Sequence, residues 1–158
     1  MKTLSVFLAA VLLSGVVHAQ DLKDWQHAKT QSLSSLKAPV RIVNLWATWC
    51  KPCRKEMPEM SAWYKKQKKG SVDMVGIALD NPENIGAFLK QTPVSYPIWR
   101  YDGKDSRGFM KSLGNTVGGL PFTTVEAVKC GHKETVFGEI DGKKLDAAVK
   151  KVTAACKK

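Results

Sequence analysis

The sequence predicts an α/β fold in which helices are layered around a mixed sheet. Three observations carry this. A strand-like run, VRIVNLWA at 40–47, is followed at once by apolar residues at helical spacing. Strand and helix patterns then alternate as far as residue 113. A hairpin pattern and one last amphipathic helix close the chain.

The first element is a leader. Lys2 supplies a positive start, 4–17 is an apolar run, and Val17-His18-Ala19 offers small residues where a cleavage site needs them. A membrane anchor or a buried core helix is the alternative. The run is short of the roughly 20 residues a bilayer span requires. Residues 1–19 are therefore read as a removable signal peptide and 20–158 as one domain. No further apolar run follows, so the processed chain should be soluble. Processing would leave about 139 of the 158 residues, enough for one domain with a real core.

Residues 20–38 are polar and weakly periodic, an arm with a short strand or helix. The strand at 40–47 leads into a helix whose apolar stripe is Cys53, Met57, Met60 and Tyr64, ending near Gly70. Pro58 falls inside it and should kink it, because it cannot donate to residue 54. A second strand is expected at 72–79. Asn81 is a good cap and Pro82 a good first-turn residue for a helix to about residue 90. A short strand at 96–99, a turn at Asp102-Gly103 and a helix at 106–113 come next. The hairpin pairs 122–128 with 134–138 around Cys130-Gly131. The last helix begins near Asp141, with Leu145, Val149, Val152 and Cys156 as its stripe.

The chain carries a net charge of +11. Its lysines spread over helix faces and ends, and no nucleic-acid recognition motif surrounds them. Nucleic acid is not an expected partner. Attraction to acidic partners or an anionic membrane surface stays open.

The chemistry concentrates in TWCKPCRKEMPEM, 48–60. A strand runs into Cys50 and a helix starts there. Backbone N–H groups and the helix dipole at that end favour a negative charge, so the Cys50 thiol should ionise more easily than usual. The thiolate is the attacking species. Cys53 lies one turn further in, on the apolar stripe. Cys50 is thus the expected nucleophile and Cys53 the resolving thiol. Lys51 adds positive charge, and Pro52 costs little in a first turn. Trp49 should cover the nucleophile and offer a partner polypeptide an apolar platform, whereas Trp46 belongs to the core. A structural zinc site needs about four ligands, often as two paired sets, and no second pair exists. A purely structural bridge over so small a loop would remove little chain entropy.

VNLWATWCKPCRKEMPEM resembles the thioredoxin superfamily, specifically its exported TlpA/ResA-like thiol:disulfide oxidoreductases. The likeness extends over about 32–151. It includes Pro58 and the GLPFTT run at 119–124, similar to the family's cis-proline loop. The resemblance implies a thioredoxin fold: a central mixed β-sheet flanked by helices, with a helix–strand insertion ahead of that loop, here 81–117. It implies a cis Leu120–Pro121 bond beside the cysteines that helps hold substrate. Asn44 stands where ordinary thioredoxins have a buried aspartate, and an asparagine cannot take up a proton. The resemblance assigns Glu56 as a tuner of the Cys53 thiol. The alternative is a solvated carboxylate paired with Arg54 or Lys55.

Cys130 and Cys156 could be free buried thiols. From Pro121 the strand runs away from the site to the hairpin turn, the partner strand returns, and the last helix runs away again. About eight strand residues at ~3.3 Å and fifteen helical residues at ~1.5 Å cover similar lengths. Both cysteines should reach one pole and form a structural disulfide, helped by an oxidising compartment.

The function expected is dithiol/disulfide exchange with exported proteins that contain disulfides, in the periplasm if the source is Gram-negative. The resemblance implies the reductase direction and a membrane thiol as electron donor. The cysteine pair is the expected redox centre, with no metal or organic cofactor, and a monomer is expected. A disulfide oxidase or isomerase on the same fold remains an alternative. A copper-handling protein using the cysteine pair as soft ligands is a weaker one.

Overall fold

The computed structural model describes residues 21–157, so the signal-peptide reading of 1–19 lies outside the described residues. Six strands form one sheet in the order β1-β4-β3-β2-β5-β6. Its centre is β2 (Val40–Trp46) and β3 (Val72–Ala78), parallel over seven matched positions from Val40↔Val72 to Trp46↔Ala78. β5 (Phe122–Ala127) runs antiparallel to β2, and β6 (His132–Phe137) antiparallel to β5. On the other side β4 (Ile98–Tyr101) is parallel to β3, and β1 (Leu22–Asp24) closes the edge antiparallel to β4. The sheet is mixed, as the alternation of elements implied. The described part of the arm, 21–38, forms β1 and a 3-10 turn at Leu33–Ser35.

Both faces of β2 are buried, which explains why VRIVNLW shows no clean alternation. Ile42 and Trp46 face α1 (Lys51–Lys65), α2 (Pro82–Gln91) and α4 (Gly142–Ala155), among Met57, Met60, Phe88 and Leu145. Val43 and Leu45 face the opposite layer, with Val75, Ile77 and Trp99 against Met110 of α3 (Ser106–Ser112) and Leu113. Met57 and Met60 are completely buried. Each contributes on the order of 1.5–3 kcal/mol by leaving water. Trp63 ties α1 to α4 through its indole N–H, which donates to Asp146 Oδ1 at 2.7 Å.

Several boundaries differ from the sequence expectation. The helix α1 stops at Lys65, four residues before Lys69, and its lysine-rich end turns directly into β3. Pro58 sits inside α1 and the helix continues through it. The β4 strand begins at Ile98 rather than Tyr96, because Pro97 has no N–H to offer a ladder. Tyr96 instead packs edge-on against Tyr64, ring centroids 6.2 Å apart. Tyr96 also comes to rest near Gly76 of β3, where a Cβ would lie 2.8 Å from Ile98 Cδ1, 3.1 Å from Tyr96 Cε2 and 3.2 Å from Trp46 Nε1. Glycine is what allows those side chains to cross the sheet there. Val149 of the α4 stripe is half-buried, and Ala148 takes its place in the core.

Candidate active site

β2 ends at Trp46, Ala47–Trp49 turn, and α1 begins at Lys51 with Cys50 as its N-cap. Extended backbone at Cys50 (φ −85°, ψ 100°) aims its side chain back over the first turn. The Cys53 N–H donates to Cys50 Sγ at 3.3 Å. The two cysteines form a disulfide, Cα–Cα 5.3 Å. Cys53 is wholly enclosed and Cys50 is 5% exposed. Any outside sulfur therefore meets Cys50 first. Lys51 and Pro52 are exposed on the open side of the turn.

Trp49 is 70% exposed and stands free of the core, a platform rather than a cover. It forms one wall of a cleft of about 240 Å³ together with Leu79, Tyr101, Met110, Gly118 and Leu120. The Leu120–Pro121 peptide is cis. Pro121 leads directly into β5, whose Phe122 pairs with Leu45 near the end of β2, so this loop and the disulfide share one end of the sheet.

Glu56 is 1% exposed. It pairs with neither Arg54 nor Lys55. Arg54 lies over the Phe88 ring, 5.7 Å from its centroid, and Lys55 bonds Glu139. Asn44 Nδ2 donates to Glu56 Oε1 at 2.8 Å, and the Ile140 N–H donates to Oε2 at 2.8 Å. Asn44 Nδ2 also reaches Thr123 Oγ1 at 3.1 Å. Burial raises the Glu56 pKa from 4.5 to about 7, although those two hydrogen bonds pull it down. A carboxyl with that value can take up or release a proton near neutral pH, and it sits one turn along α1 from Cys53. Burial, followed by the charge of Glu56, also pushes the Tyr96 hydroxyl above its ordinary range.

Sequence reasoning missed the residues that hold the two loops. Asp80, just past β3, accepts from Thr48 N at 3.1 Å and Thr48 Oγ1 at 2.5 Å. Its other oxygen accepts from Asn81 N and Asn84 Nδ2. Partial burial of Asp80 raises its pKa, but these bonds outweigh that and leave it lowered. The carboxylate thus fastens the turn before Cys50 to the start of α2. Asn115 does the same for the proline loop: Nδ2 donates to Gly119 O at 2.7 Å, and Oδ1 accepts from Gly118 N at 2.9 Å. Clustered Asn and Asp beside Pro and Gly were the available signals.

Cys130 and Cys156 are joined as a second disulfide at the opposite pole, Cα–Cα 5.6 Å. It links the β5–β6 turn to the end of α4.

An enclosed sulfur beneath an accessible one, at a helix N-terminus beside a cis-proline loop, is the working arrangement of thioredoxin-fold thiol–disulfide exchange. Residues 17–114 match the AhpC/TSA family, within the thioredoxin superfamily, and the chain belongs to it. It is 32% identical over 127 residues to thiol-disulfide oxidoreductase ResA of Bacillus cereus (strain ZK / E33L), covering 79% of this chain and 70% of that one. A solved thioredoxin-related protein from Neisseria meningitidis serogroup B is 70% identical, with a TM-score of 0.82 over 84% of this chain and 98% of its own. StoA from Bacillus subtilis is 27% identical, TM-score 0.56, over 69% of this chain and 81% of its own. The protein is a thiol–disulfide oxidoreductase of thioredoxin fold, and its substrates are proteins that contain disulfides.

Proposed function

We propose that this enzyme works in the periplasm as a reductase of disulfides in exported proteins, with Cys50 as nucleophile and Cys53 as resolving thiol. The observation that carries the reading is the helix-capping position of Cys50 over an enclosed Cys53. The Cys50 thiolate attacks one sulfur of the partner disulfide. A Cys50–partner bond forms, and the other partner sulfur leaves as thiolate. Cys53 then loses its proton to Glu56 and attacks Cys50 Sγ. The Cys50–Cys53 bond closes and the second partner sulfur leaves. Two electrons have passed to the partner, so a membrane-bound dithiol must return two before the next cycle. The cysteine pair is the whole redox centre in this scheme, and one monomer suffices.

Trp49, Leu120 and Pro121 would hold the partner chain across the cleft, with Lys51 and Pro52 shaping the mouth of the site. An exported location is supported by the leader pattern at 1–19. No helix among the described residues is long and apolar enough to cross a membrane.

The reduction potential of the Cys50–Cys53 pair tests the direction. A value near the roughly −270 mV of reducing thioredoxins supports a reductase fed from the membrane. A value near about −120 mV would move the enzyme to the oxidase class.

A further inference from the structure

The sequence scatters its lysines, but the fold gathers them. β2 and β3 start at the pole opposite Cys50, and β5 ends there, since Val40 is matched with both Val72 and Ala127. The end of α1 lies immediately before β3 and brings Lys65, Lys66, Lys68 and Lys69 to that pole. The β5–β6 turn adds Lys129, and the start of β6 adds Lys133. The α4 end, held to this turn by Cys130–Cys156, adds Lys150 and Lys157. Lys37 precedes β2, and its neighbour Pro39 accepts from the Val128 N–H. All of these lysines are exposed, and among the described residues none of them is in an ion pair.

The carboxylates at this pole are already engaged. Asp73 accepts from the Ala38 N–H, Glu126 pairs with Arg41, and Glu134 with Lys151 and His132. Other carboxylates follow strand ends or open helices at the active-site pole: Asp80 and Glu83, Asp102 and Asp105, Glu139 and Asp141. The molecule is polarised along its strands. Seven residues of β2 at ~3.3 Å each set the two poles roughly 23 Å apart, more than twice the screening length of about 10 Å at 0.1 M salt.

We propose that this lysine pole is a docking surface for an anionic phospholipid bilayer, holding the enzyme on the membrane with its disulfide turned away. The composition of the pole favours a bilayer over nucleic acid. Its one arginine, Arg41, is spent on Glu126 and the Leu33 carbonyl, which leaves no guanidinium fork for phosphate or base. Among the described residues the exposed large apolar side chains are Trp49, Val117 and Phe137, all at the other end, so bases find no stacking platform at this pole. Long, separate, flexible ammonium groups suit a diffuse anionic surface, where each adds attraction within a screening length.

Sedimentation with vesicles tests this, using a chain that starts at Gln20 and carries every element of the fold. In the 70% identical Neisseria protein a chain matching 84% of this one suffices for the same fold. Vesicles of phosphatidylethanolamine and phosphatidylglycerol should retain the protein and phosphatidylcholine vesicles should not. Retention should fall steeply as salt shortens the screening length from about 30 Å at 0.01 M to about 10 Å at 0.1 M. Changing Lys66, Lys68 and Lys69 together to Gln should weaken retention at least tenfold, with disulfide-reducing activity in solution unchanged. The same change at Lys104, Lys111 and Lys143, away from the pole, should weaken it less than twofold. No retention at low salt overturns the proposal, and so does equal weakening by the two triple variants. Retention on duplex DNA but not on vesicles overturns it too.

Discussion

The two disulfides occupy opposite helix ends. Cys50 caps the N-terminus of α1, where the Cys53 N–H donates to its sulfur, and Cys156 caps the C-terminus of α4, the carbonyl end of that helix. The first end favours a thiolate and the second disfavours it. The settings differ in the same sense. A buried carboxyl lies one turn along α1 from Cys53, and Trp49, the residue before Cys50, walls a cleft. Cys130 is exposed on a turn with neither beside it. Loop length separates them again: 3 residues of sequence for one, 26 for the other. One kind of bond thus suits exchange where a helix N-terminus favours the thiolate against the cost of burial. It serves as a clasp where it joins distant segments.

The largest effect expected is on turnover. Cys50→Ser should lower the reduction of a disulfide-linked peptide at least about a thousandfold, since the attacking thiolate is gone. Cys53→Ser should trap the partner as a mixed disulfide visible by mass spectrometry. Replacing Cys130 and Cys156 together should change turnover less than about twofold, because they lie outside the exchange pathway. A tenfold loss there would break the contrast. Stability should reverse the ranking. Closing a loop of 26 residues removes about 3.5 kcal/mol of unfolded-chain entropy, against about 1.6 kcal/mol for the short loop. Urea unfolding of the Cys130→Ser/Cys156→Ser protein should show the larger loss.

Much of this contrast was legible beforehand. The strand-to-helix junction placed Cys50, and strand and helix rises brought Cys130 to Cys156. What stayed hidden was how the loops are held. Asp80 and Thr48 are 32 residues apart and meet only because β2 and β3 are parallel neighbours. The burial of Glu56 was equally hidden. Arg54 and Lys55 beside it suggest a surface carboxylate, and only α4, whose approach brings the Ile140 N–H, closes the pocket. The lysine pole was missed for the same reason, since its contributors meet only in three dimensions.

Glu56 sharpens the contrast through pH, because the clasp has no comparable group. Its folded pKa, about 7, lies above 4.5, so between these values the folded state holds a proton that the unfolded chain has lost. Stability must therefore fall as pH rises through this window, by about 3 kcal/mol for a shift of this size. Glu56→Gln removes the titration, so chemical unfolding followed from pH 4 to pH 8 should lose that slope. The same variant should slow resolution of a Cys50 mixed disulfide about tenfold or more above neutral pH. Attack by Cys50 itself should be little changed. A variant that keeps the wild-type slope would mean that another group titrates. Loss of the slope with normal resolution would leave Glu56 buried but without a part in the exchange.

The smallest expected effect concerns the turn that carries Trp49. Thr48→Ala deletes one of the two bonds to Asp80, a partly exposed contact contributing about 1 kcal/mol. Asp80→Asn puts an amide donor against N–H groups that need an acceptor. Either change should loosen the approach to Cys50 and raise KM for a peptide disulfide a few-fold, while the Cys50–Cys53 potential hardly moves. The sign with pH is opposite to that of Glu56. The folded pKa of Asp80 lies below 3.8, so its stabilisation is complete above that value and is lost as pH falls through the folded value. The stability gap between wild type and Asp80→Asn should therefore be constant from pH 5 to 8 and close in acid. The two carboxyls consequently tilt the stability profile in opposite senses, and in different pH windows. A double variant lacking both should be nearly flat between them, whereas the distant clasp should shift the whole profile without changing its shape.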